Sequence, residues 1–177
     1  MFKGIIRFHS KLCILCTSAV LLLSVSAHAD GLQHVQQIIF GMDCAPCAYG
    51  IQQGLLKLPG VQHVTVSLND GNASVDLAPV NKVTLAEIQS VIRHHGFTPK
   101  GATVTLSGHL VKHGKQYYLS VQGASDYLLQ ISQPEILAKL PIGREVIAEG
   151  HVNAGDVKSP TLHVSHMQMA ASLSSQK

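Results

Sequence analysis

Apolar and polar positions follow one another with periods that change in a definite order along this chain. Over residues 45–57, Ala48, Ile51 and Leu55, with Leu58 just beyond, fall on one helical face, while Gln52, Gln53 and Lys57 turn outward. Pro59-Gly60 ends that helix. Val64, Val66 and Leu68 then alternate with Thr65 and Ser67, the pattern of a half-buried strand. Asn69-Asp70-Gly71-Asn72 supplies a hairpin turn, and Ala73, Val75 and Leu77 carry the partner strand. Thr84 and Glu87 make a capping box for a second helix with Leu85, Ile88, Val91 and Ile92 inward, and Gly96 closes it. A first strand over residues 32–40 is poorly patterned, because Gln36 and Gln37 interrupt both phases. With an extended stretch after Phe97, residues 30–101 read β-α-β-β-α-β.

Beyond residue 101 the pattern turns to short strands. Residues 103–112 alternate, His113-Gly114-Lys115 turns, and residues 116–121 pair back as a hairpin. Residues 127–131 give a third strand. Pro134 opens a short helix that Pro141 and Gly143 end, and residues 145–152 and 161–167 supply two more strands. Five strands with a helix between the third and fourth is the order of an OB-type barrel, expected over residues 102–168. Almost no linker separates the halves, so the first strand of the second half can continue the last strand of the first. Residues 169–177, rich in Ser and Ala, read as a flexible tail.

Charge and targeting change how much of the 177 residues counts. Lys3, Arg7 and Lys11 precede an apolar run over residues 12–25, and Ala27-His28-Ala29 is an A-x-A cleavage signal. The run is shorter than the roughly 20 residues that span a bilayer, so residues 1–29 read as a cleaved signal peptide rather than an anchor. Cleavage removes three of the 13 Lys+Arg and none of the 10 Asp+Glu, which turns the formal +3 into a balanced chain. That balance argues against nucleic acid or an anionic membrane as partner. The leader implies a bacterial periplasm or the extracellular space, an oxidising setting.

Cys13 and Cys16 leave with the leader, so the mature chain keeps only Cys44 and Cys47, in Gly41-Met42-Asp43-Cys44-Ala45-Pro46-Cys47. Two thiols two residues apart at a strand-to-helix turn can converge on a soft metal ion or close a disulfide. The helix dipole and its free N–H groups favour the thiolate form. Two thiolates alone leave an ion under-coordinated, open to exchange with an incoming thiol pair. The competing reading is thiol–disulfide redox chemistry, suggested by Pro46 between the cysteines and by Thr98-Pro99 ahead of a strand. No aromatic residue precedes Cys44, and the segment is too short for a thioredoxin sheet. No Ser-His-Asp order or phosphate loop stands out either, so an enzyme is not expected.

Gly-Met-Asp-Cys-Ala-Pro-Cys, the amphipathic helix, Leu58-Pro59-Gly60-Val61, the Asn69-Asp70-Gly71 turn and Gly96-Phe97 together resemble a heavy-metal-associated (HMA) domain. The family includes periplasmic mercury-binding proteins, copper chaperones and the amino-terminal domains of metal-transporting ATPases. The resemblance implies an α+β fold, a ferredoxin-like βαββαβ sandwich, with Cys44 and Cys47 as ligands of one soft ion (Zn2+, Cd2+, Pb2+, Hg2+ or Cu+). It also implies a metal transporter or sensor protein as partner. Met42 is expected to anchor the loop in the core and Phe97 to pack beneath it. Asp43 departs from the Thr usual in copper-directed members and is similar to the zinc-, cadmium- and lead-exporting branch, where a carboxylate adds a third ligand; otherwise it is a loop residue or helix cap. The reading leans slightly to a divalent soft ion. His94-His95 read as residues that complement a helix dipole. His163, His166 and Met167 raise a second metal site.

Overall fold

The computed structural model describes residues 30–132, 135–138, 141–156 and 159–170. The leader assigned to residues 1–29 lies outside them, as do Pro134 and residues 171–177. The first half runs β1 (Gly31–Phe40), α1 (Ala45–Leu56), β2 (Val61–Ser67), β3 (Asn72–Leu77), α2 (Leu85–His94) and β4 (Thr98–His113). Its strands lie in the order β2-β3-β1-β4, all antiparallel, with α1 and α2 packed together against the sheet. This is the ferredoxin-like arrangement.

The alternation seen in the sequence sets the register. Val64, Val75, Val35 and Val104 stand side by side across the four strands, each no more than 1% exposed. Ile51 and Leu55 from α1, and Ile88 and Ile92 from α2, close over this row and are fully buried. Leu68 departs from its expected inward position: β2 ends at Ser67, whose Oγ donates to Asp70 Oδ2 at 2.6 Å, and the turn leaves Leu68 36% exposed.

The poorly patterned first strand is a full central strand of ten residues. Gln37 belongs to the core, at 0% exposure, because its amide is satisfied there. Nε2 donates to the carbonyls of Lys100 (2.8 Å) and Gly101 (3.2 Å), and Oε1 accepts from Gln89 Nε2 at 3.1 Å. These carbonyls sit where the β1–β4 register shifts, next to Pro99, which has no N–H to give the ladder. The apolar residues in the other phase, Ile38 and Phe40, face outward at 49% and 67% exposure. A buried amide and two exposed apolar side chains had masked the period.

β4 carries on for 16 residues into the second half, as the missing linker suggested. There follow β5 (Gln116–Ser120), β6 (Tyr127–Ile131), α3 (Glu135–Ala138), β7 (Glu145–Val152) and β8 (Thr161–Met169). Pairings β4–β5, β5–β6, β6–β8, β8–β7 and β7–β4 close a ring, and β6–β8 is its one parallel pair. Met169, placed at the start of the tail by its composition, ends β8, and Ala170 N–H donates to the Glu145 carbonyl at 3.1 Å. Among the described residues no helix is long and apolar enough to cross a membrane.

Gly108 marks the point where one edge of β4 passes from β1 to β5. A Cβ there would overlap the Ser120 carbonyl oxygen and lie 3.1 Å from Val121 Cγ2. Gly108→Ala is therefore expected to destabilise the fold by about 1–3 kcal/mol, read as a lower urea midpoint. Tyr127, 3% exposed, has its phenol pushed up from 10.0 to about 12 by burial. The unfolded chain then loses that proton before the folded one, so stability falls as pH rises from 10 towards 12, by up to about 3 kcal/mol from this group. Tyr127→Phe is expected to flatten that part of the stability–pH curve.

Candidate metal centre

The Cys loop is built by the end of one strand and the start of one helix. β1 ends at Phe40, whose ring lies 5.1 Å beneath Lys100 Nζ. Gly41 turns the chain at φ +88°, a left-handed conformation that costs a residue with a Cβ. Met42 then drops into the core at 8% exposure, as expected of an anchor, while Asp43 is exposed. Phe97 is partly buried against the same core.

Cys44 is the N-cap of α1, with extended backbone (φ −132°, ψ 140°). Its Sγ accepts the Cys47 N–H at 3.1 Å, and its carbonyl accepts the Ala48 N–H at 3.1 Å. The capping role considered for Asp43 thus belongs to the cysteine, since it is Cys44 that stands where the helix N–H groups point. Pro46 lies in the first turn, where no intrahelical donor is needed from it. Cys44 and Cys47, both half-buried, are joined as a disulfide with Cα atoms 5.2 Å apart. Of the two outcomes foreseen for the pair, the structure shows the disulfide, and its reduction would leave two thiols at a helix N-terminus.

The carboxylate of Asp43 and the sulfurs of Cys44 and Cys47 lie within 4.8 Å of one another, and no other group of three or more His, Cys, Asp or Glu converges so closely among the described residues. The histidines that sequence reasoning grouped come apart. Met167 is buried, whereas His166 is exposed and stands opposite Glu149, and His163 Nε2 lies 3.0 Å from Asn153 Nδ2. Odd and even strand positions face opposite ways, which separates His166 from Met167. His94 and His95 end α2 as expected, their Nδ1–H groups donating to the carbonyls of Ser90 (3.0 Å) and Val91 (2.9 Å). Sequence reasoning missed Gln37 and Gln89, which hold the β1–β4 junction beside the loop; a Gln at an inward strand position was the available signal.

Residues 38–98 match the profile of the heavy-metal-associated domain. Those residues form a heavy-metal-associated domain. The chain is 26% identical over 150 residues to the human copper-transporting ATPase 2, a match covering 71% of this chain and 10% of the ATPase. The chain thus spans about a tenth of that relative's length. Among solved structures it is similar to a copper-binding domain of a P-type ATPase (29% identity, 41% of this chain and 92% of that one, TM-score 0.36). It is also similar to a yeast copper transporter domain (30% identity, 38% and 90%, TM-score 0.36).

The matched domain contains the entire Cys loop and stops at the first residue of β4. Its helix cap can be tested apart from the disulfide. In a Cys47→Ala background, Cys44→Ser keeps a side-chain acceptor for the N–H of residue 47 and Cys44→Ala does not. The Ser variant is expected to be more stable by about 1 kcal/mol, measured by thermal or urea unfolding.

Proposed function

We propose that the chain binds a single soft metal ion between Cys44 and Cys47 and hands it to a partner protein by thiol exchange. The observation that carries this reading is the convergence of Asp43, Cys44 and Cys47 on an exposed turn inside the heavy-metal-associated domain. Reduction of the disulfide by a thiol donor, which supplies two electrons and two protons, precedes binding. Loss of both protons on binding gives two thiolates, which suit Cu+, Zn2+, Cd2+, Pb2+ or Hg2+ and leave coordination positions open to an incoming pair. The human relative is named as a copper-transporting ATPase, which supports Cu+. The carboxylate of Asp43 supports a divalent ion, because a hard oxygen adds more to Zn2+ or Cd2+ than to Cu+.

In this reading residues 1–29 are a signal peptide and the mature protein works in a bacterial periplasm or outside the cell. The partner is a metal transporter or sensor, and the chain is a carrier rather than an enzyme. Residues 30–101 are the metal domain and residues 102–168 an OB-like barrel that serves as a docking module. The ring of five strands, with one parallel pair and a short helix before its fourth strand, supports that barrel. The Cys44–Cys47 disulfide favours one second reading, a thiol–disulfide redox protein.

Competitive titration of the reduced protein, wild type against Asp43→Ala, tests the proposal. Asp43→Ala is expected to weaken Zn2+ or Cd2+ by about tenfold, the effect of losing one ligand worth roughly 1.4 kcal/mol, and to leave Cu+ unchanged. A reduced protein that binds no soft ion, yet turns over a disulfide substrate, would replace the carrier with the redox reading.

A further inference from the structure

The outward face of the sheet carries a row of side chains that no single stretch of sequence contains. His63 of β2 stands opposite Asp76 of β3, and Asp76 stands opposite His34 of β1. The next position along each strand is Val64, Val75 and Val35, all buried beneath the helices. His63, Asp76 and His34 therefore project together from the other face. His34 Nδ1 meets Asp76 Oδ1 at 2.7 Å, with the two side chains 41% and 50% exposed. His63 is exposed, and its Nε2 lies 3.3 Å from Thr65 Oγ1, a solvent-facing contact that a change of rotamer releases.

We infer that His34, Asp76 and His63 form a second metal site, for a borderline divalent cation of the Zn2+ or Cu2+ class. Two imidazoles and a carboxylate are the donor set such ions take, and a water completes a tetrahedral shell. The reach is sufficient. Neighbouring strands lie about 4.8 Å apart, so each ring covers roughly 5 Å sideways to an ion above Asp76. That is within the length of a histidine side chain plus a metal–nitrogen bond of about 2 Å. His34 moves its proton from Nδ1 to Nε2, and the ion takes the place the proton held beside Asp76 Oδ1.

This site differs from the Cys loop in place and in chemistry. Six residue steps along β1 take the chain from His34 to Phe40, about 20 Å at the rise of a strand. Closing the Cys44–Cys47 disulfide removes the soft thiolate ligands and touches none of the three N/O donors. The oxidised chain thus keeps a place for a divalent ion after the thiol site has closed.

The test uses the mature chain, residues 30–177, with its disulfide intact, titrated with zinc chloride and followed through the imidazole Cε1–H resonances of its nine histidines. The His34 and His63 signals are expected to shift together and to saturate near one equivalent, while His166 stays in place. His34→Ala and His63→Ala should each weaken binding by at least about tenfold. Asp76→Asn should weaken it also, with unchanged circular dichroism in each case. A first equivalent that moves other histidines instead, or a His34→Ala/His63→Ala double variant that binds zinc as the wild type does, would overturn the assignment. So would the lack of any saturable shift.

Discussion

Both edges of β4 are occupied, and the two halves of the molecule hold together through that fact. Along one edge β1 pairs as far as Ser107, and β5 takes over from His109. Along the other edge β7 pairs from Ala102 to His109. In a ferredoxin-like sheet of order β2-β3-β1-β4, the fourth strand would end the sheet with unpaired N–H and C=O groups. Here β7 covers those groups over much of that strand, while Thr98–Gly101, nearest the Cys loop, lie outside the β7 pairing. The start of β1 is tied to the end of β5 as well, since Asp30 Oδ1 accepts the Gln122 N–H at 3.1 Å. A backbone shared in this way couples the halves more tightly than a linker would, and it leaves no room for a side chain at Gly108.

Buried amides specify how the first half closes on itself. Gln89 donates to Gln37, and Gln37 in turn donates to the carbonyls of Lys100 and Gly101, while Asn81 ties the Leu32 and Ala78 carbonyls (both 2.8 Å) to the Val83 N–H (2.9 Å). A buried donor left unpaired costs about 1–3 kcal/mol. These three side chains therefore select one register and one loop path, where an apolar core alone would tolerate several. The Cys loop benefits directly. It leaves β1 just past the Gln37 junction, is held by Met42 in the core, and enters α1 on a cap made by one of its own cysteines.

The two faces of the sheet present different chemistry. The helices cover one face, and the loop at their edge offers sulfur, whose ligand character depends on the redox state of the pair. The open face offers imidazole and carboxylate, which do not respond to thiol oxidation. In the proposed reading these two donor sets suit cations of different softness.

The helices, the capping box at Thr84, the hairpin turn and the Cys motif were legible in the sequence because each depends on residues within a few positions of one another. The second half's strands were legible for the same reason. The first strand was obscure, since Gln37 is apolar in place but polar in kind, and only the carbonyls of Lys100 and Gly101, distant in sequence, make it so. Only Asp43 was considered as a cap for α1, and the path of the backbone through Met42 gave the cap to Cys44 instead. His34, His63 and Asp76 could not be associated by reading along the chain, because strand register brings them together across three strands. Sequence alone determined the elements and the sulfur chemistry, which rest on local spacing. Tertiary structure decided the shared strand, the buried amides and the histidine row, which rest on pairings between residues far apart in the chain.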